Sequence, residues 1–165
     1  MNWEAIAALG EVAGALGVIA SLLYLSRQIG HNTQQMRIAT HAETTRDFRA
    51  FTRQTLSGGY SKVLSDGLED YESLDPQGKL DFAFLMFDMF KSFETTHYHY
   101  LHGSMGEDSW LSWRRLLTSY CVAPGARHYW EVRRDIFTTE FRELVDSLDP
   151  DTSVKRVGHV SDRRD

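Results

Sequence analysis

The chain is short of the residues that staple, break or strongly charge a fold. Cys121 is its only cysteine among 165 residues. No disulfide can form within one chain, and nothing in the cysteine usage asks for an oxidising compartment. Only three prolines occur, Pro76, Pro124 and Pro150, each where one helix can give way to another. No run alternates apolar and polar residues for long enough to nucleate a sheet. There is no basic tract: 18 Lys and Arg face 23 Asp and Glu, for a net charge of -5. Phosphate neutralisation supplies most nucleic-acid affinity, so nucleic acid is not an expected partner. A nucleophile elbow, a phosphate-cradling glycine loop and a zinc-spaced cysteine pair are all missing, so no catalytic residue, metal or cofactor is assigned and enzyme activity is not expected. The amino terminus, MNWEAIAAL, carries Glu4 where a secretory signal carries positive charge.

What is present is one long apolar stretch. Residues 5–25 read AIAALGEVAGALGVIASLLYL, with Glu11 the single charge. A bilayer core needs about 20 mostly apolar helical residues, so residues 1–30 are expected to form a transmembrane anchor. The nine Leu, Ile and Val residues of the run favour insertion by roughly 0.3–0.6 kcal/mol each, about 3–5 kcal/mol together. Glu11 opposes this, by less than the mid-bilayer value of about 2.5–3.5 kcal/mol because it lies near one end. On a wheel at about 100° per residue, Gly10, Gly14, Gly17 and Ser21 fall within roughly 60°, with Val12, Leu16, Ile19 and Leu23 opposite. Small stripes let membrane helices approach closely. Self-association through Gly10, Gly14, Gly17 and Ser21, with Glu11 on the flank of the contact, is therefore expected. A water-soluble oligomer with this run as its core helix is the other reading, since Glu11 and the small residues dilute the hydrophobicity. Arg27, Arg37, Arg46, Arg49 and Arg53 all follow the run, and no Lys or Arg precedes it. By the positive-inside rule the remainder stays in the cytoplasm, with membrane lipid as a partner.

The rest reads as helices. The first continues past the membrane, with Ile29, Met36, Ala39, Ala42 and Phe48 as a weak apolar stripe, and Gly58-Gly59 ends it. A short helix fits residues 61–68. A strong one fits residues 76–101, capped by Asp75, with Pro76 in its first position. Its apolar residues nearly encircle it, which marks a central helix. Another fits residues 107–122, burying Trp110, Trp113, Leu116, Leu117 and Tyr120. Pro124 opens the next, which carries Tyr129, Trp130, Val132, Ile136 and Phe137. Thr138 caps a last one, with Phe141, Leu144, Val145 and Leu148 inward. Residues 149–165 show no periodicity and read as a flexible tail. The fold expected is all-α: an anchor at residues 1–30, a helical cytoplasmic domain at residues 31–148 and the tail.

Two clusters could carry chemistry. Glu94 and His97, three residues apart on one helix face, match the Glu-x-x-His spacing of di-iron bundles. The second such pair that those sites need is missing from the chain. His99 and His102 form another pair; histidines near a helix carboxy terminus also simply suit the dipole. Trp110, Trp113, Tyr120, Tyr129 and Trp130 either line a ligand pocket, as in a membrane-tethered sensor, or form core.

The stretches NWEAIAALGEVAGALGVIASLLYLSRQIGHNT and SWLSWRRLLTSYCVAPGARHYWEVRRDIFTTEFRELVDSL resemble the two halves of a large family of uncharacterised bacterial proteins. The resemblance implies bacterial origin, hence a bacterial inner membrane as the place of the anchor, and a hydrophobic amino-terminal helix followed by a helical domain. It brings no activity with it. The function expected is that of a membrane-anchored homo-oligomer with a structural or interaction role. The alternatives are the ligand sensor and a metal-dependent enzyme at Glu94 and His97.

Overall fold

A computed structural model describes residues 3–148; within them, nothing is described of the side chains at positions 5–8, 10, 12 and 13. The described residues are all helical or in turns, with no strand. Six α-helices follow in order: α1 (Trp3–Ser57), α2 (Ser61–Glu69), α3 (Pro76–Leu101), α4 (Glu107–Cys121), α5 (Pro124–Arg133) and α6 (Thr139–Asp146). Two single 3-10 turns, Tyr71–Ser73 and Arg134–Ile136, join α2 to α3 and α5 to α6. The expected tail at residues 149–165 lies outside the described residues.

The chain divides into two compact units, Met1–Ala39 and Thr40–Asp165. In the first, every described side chain of α1 from Gly14 to Ala39 is exposed, apart from the half-buried Thr33. Leu16, Ile19, Leu22, Leu23, Tyr24 and Leu25 are each more than half exposed. Among the described residues no helix is long and apolar enough to cross a membrane. The membrane span expected at residues 1–30 is thus not among the structural findings. Ala5 to Ala8, Gly10, Val12 and Ala13, all inside that apolar run, are the positions whose side chains fall outside the description.

The second unit is built around α3. Asp75 caps it, its carboxylate accepting the Gly78 N–H at 2.6 Å, and Pro76 occupies the first turn, where no N–H is needed. Gly103, at φ +74°, terminates the segment in a conformation that suits glycine. Phe82, Met86, Met89, Phe90 and Phe93 are fully buried. Trp110, Trp113, Leu117 and Tyr120 of α4, Tyr129 and Trp130 of α5, and Phe141 and Val145 of α6 complete one core. The expected encirclement of α3 is only partial: Leu80 and Phe84 are more than half exposed. On α5 and the turn after it, Val132 and Ile136 also face solvent rather than the core.

The Thr40–Ser57 part of α1 meets this core through two rings. Phe51 is buried, and Phe48 lies 5.9 Å from Phe93 and 5.3 Å from Trp113, centroid to centroid. The stripe expected on α1 is corrected here: Ile29, Met36, Ala39 and Ala42 are exposed, and Thr40, Thr44, Phe51 and Thr55 form the buried face. Threonine can take this role because its hydroxyl bonds back to its own helix. Thr44 donates to the Thr40 carbonyl at 3.1 Å and Thr55 to the Phe51 carbonyl at 2.9 Å, which leaves the methyl groups to pack. α2 crosses α5 at a glycine pair: a Cβ on Gly125 would stand 1.7 Å from the Gly67 carbonyl oxygen.

Candidate functional site

The small-residue face of α1 lies bare. A Cβ added at Gly14 or Gly17 would meet nothing within 4 Å. Ser21 spends its hydroxyl on the Gly17 carbonyl of its own helix, at 2.9 Å. Glu11 is exposed. The surroundings of Gly10 lie outside the described residues. Leu16, Ile19 and Leu23, on the opposite face, are as uncovered as the glycines. The helix therefore presents two open surfaces, one flat and one bulky.

The Glu94–His102 segment forms a set of tertiary contacts. One Glu94 oxygen accepts the backbone N–H of Thr138, at 2.7 Å, and the other pairs with Lys91 at 2.7 Å. Lys91 also donates to the Ile136 carbonyl at 3.1 Å and lies 4.6 Å from the centre of the Phe137 ring. Glu94 thereby takes the cap at the start of α6. Thr138 does stand at the N-cap position expected for it, but its own side chain makes no capping bond. His97 is buried and stacks on Trp110 with centroids 5.0 Å apart. Burial pushes its pKa below the usual histidine value, against a weaker pull upward from the charge of Glu140. His102 stacks on Tyr98 at 3.9 Å, with Nδ1 2.9 Å from the Tyr98 carbonyl oxygen. Among the described residues no group of three or more His, Cys, Asp or Glu is placed to hold a metal ion.

The five aromatic candidates are all buried in the core. Trp110 is flanked by His97 and Tyr100, Phe90 stacks on Tyr129, and the Trp130 indole N–H donates to Asp146 at 2.9 Å. Trp113 also borders a groove with His41, Asp108, Ser109, Ser112 and Leu116. Burial raises the pKa of Tyr120 and Tyr129, and pushes the Cys121 thiol up to about 12. A thiol held there is no nucleophile at neutral pH.

One surface escaped the sequence reading. Phe51, Gln54, Thr55, Tyr60, Asp81, Phe84, Leu85 and Asp88 line an open groove of about 350 Å³ between α1 and α3. Its two walls lie some thirty residues apart in the chain, and no local pattern announces such a meeting. No family model, curated protein or solved structure matches the chain.

Proposed function

We propose that this protein is a membrane-anchored homo-oligomer with a structural or interaction role, assembled through the Gly10, Gly14, Gly17 and Ser21 face of α1. The observation that carries this reading is the bare apolar surface of α1. Seven large side chains between Leu16 and Leu25 are more than half exposed. Fully covering one Leu, Ile or Val side chain is worth about 1.5–3 kcal/mol. A run of them left in water is a strong drive toward lipid or other protein. The open approach to Gly14 and Gly17 supports close helix packing, the mode that serves association inside lipid.

Cell fractionation with and without residues 1–30 tests the anchor. The full chain is expected to sediment with membranes and to leave them only in detergent, and the shortened chain to stay in the supernatant. If the full chain remains in the supernatant without detergent, as an oligomer, then α1 is the core helix of a water-soluble assembly and the membrane reading fails. Gly14→Leu with Gly17→Leu tests the packing face, and should reduce the particle size in detergent. An unchanged size rejects that face as the contact.

A further inference from the structure

Resting on the reading of the chain as an assembly of copies, we propose a second contact between neighbours: an arginine ridge on α1 of one copy seats on the acidic groove between α1 and α3 of the next. At about 100° per residue, Arg46, Arg49 and Arg53 fall within roughly 60° of the helix surface. The buried residues Thr40, Thr44, Phe51 and Thr55 lie on the opposite side. All three arginines are exposed, and none makes an ion pair among the described residues. A cluster of three positive charges runs against the grain of a chain whose net charge is -5.

The groove supplies the complement. Asp81 and Asp88 stand on its α3 wall, around the exposed ring of Phe84. Asp88 also borders a smaller groove of about 180 Å³ with Asp47. No cation pairs with either aspartate among the described residues: Asp81 accepts only the Gln77 side-chain amide, at 2.9 Å. Lys91, on the same helix, is taken up by Glu94 and the Ile136 carbonyl.

The heights agree. α3 runs antiparallel to this part of α1: Phe93 lies beside Phe48, Thr44 and Asp47 border one groove with residues 88–95, and residues 51–60 border the other with residues 81–88. From the Phe48–Phe93 contact, Arg53 stands about level with Asp88 and Arg49 about one helical turn away. In a ring of copies whose α1 segments run parallel, neighbours stand at equal height, so ridge meets groove in register. The two patches lie on different sides of the molecule, which makes the contact head-to-tail, the kind that closes into a ring under rotation. Leu56 beside the ridge and Leu80 beside the groove, both exposed, add apolar contact at the seam. Anionic headgroups would satisfy the arginines too, but would leave Asp81, Asp88 and Phe84 without a partner. A second copy satisfies all of them.

The test is a charge swap in the full chain in detergent, read by sedimentation, with circular dichroism as the check on folding. The variant Arg49→Glu with Arg53→Glu and the variant Asp81→Lys with Asp88→Lys should each weaken self-association by about tenfold or more, because like charges then face each other. Mixing the two in equal amounts should restore assembly, since each seam between unlike variants again joins opposite charges. The wild-type assembly should also loosen as salt rises, because exposed charges are screened beyond about 8–10 Å at ordinary ionic strength. The inference is overturned if the wild type is oligomeric and both variants match it in size, or if the mixture stays apart; the proposed function then still stands. It is overturned equally if Arg49→Glu with Arg53→Glu keeps its size but loses binding to anionic vesicles, which would turn the ridge toward lipid. A wild type that is monomeric under the same conditions overturns this inference and the homo-oligomer reading together.

Discussion

At the scale of single residues, the buried polar side chains of the second unit are where stability and pH meet. His97 shows this most directly. It is buried against Trp110 and Phe141, so the folded state disfavours its charged form and lowers its pKa. A buried group that must charge destabilises the fold in acid. The unfolded chain takes up a proton near the ordinary value of about 6.5, and the folded one only further down. Stability is complete above that ordinary value and falls as the pH drops from it toward the lowered folded value. Denaturant melts of the wild type and His97→Phe should therefore converge near pH ~7 and diverge toward pH ~5, with the wild type losing more. A constant difference between the two would show that His97 does not carry the effect. Cys121 makes the opposite window. Its thiol is pushed up to about 12 by burial, so its contribution is lost only as the pH rises above its ordinary value of about 8.5. The spacing of Glu94 and His97 points to a shared ligand, whereas in the fold Glu94 bonds the Thr138 N–H and Lys91. Its partner at the start of α6, Thr138, lies more than forty residues away, and that distance hid its use as a cap.

At the scale of elements, the boundaries were the most legible part. Asp75-Pro76, His102-Gly103 and Ala123-Pro124 mark ends by local backbone chemistry, and the helices start and stop at those positions. The faces were less legible. Thr40, Thr44 and Thr55 read as polar, yet they are buried, because a helix can absorb a threonine hydroxyl into its own carbonyl ladder. Val132 and Ile136 are the reverse case, apolar in sequence and exposed in the fold. The α2–α5 crossing is the tightest contact that local pattern could not announce. With 1.7 Å between a hypothetical Gly125 Cβ and the Gly67 carbonyl oxygen, the obstacle is backbone and cannot rotate away. Gly125→Ala should destabilise the unit by about 1–3 kcal/mol, in the manner of overpacking, although alanine favours helix elsewhere. Thermal melts should show a lowered midpoint, and an unchanged or raised midpoint would mean that α2 moves away freely.

At the scale of the whole molecule, the two units differ in what holds them. Thr40–Asp165 has an aromatic core that ties α1, α3, α4, α5 and α6 together. Met1–Ala39 offers apolar side chains with nothing described against them. Removing residues 1–30 should therefore leave the helical content and melting midpoint of the remaining chain close to those of the full protein, while its self-association drops. The comparison requires circular dichroism and sedimentation of the same two samples. A large fall in the melting midpoint would show that the first unit supports the fold of the second.

The sequence alone determined that the chain is helical, where its helices break, and that one end is far more apolar than the rest. Those properties follow from backbone preference and from residues close together in the chain, which act before any tertiary contact exists. Only the tertiary structure decided which face of each helix is covered, that Gly67 and Gly125 must both be glycine-sized, that Glu94 caps α6, and that Asp81 and Asp88 border a groove beside α1. Each of these depends on two segments distant in sequence arriving within a few ångströms of each other, and no local pattern encodes that meeting.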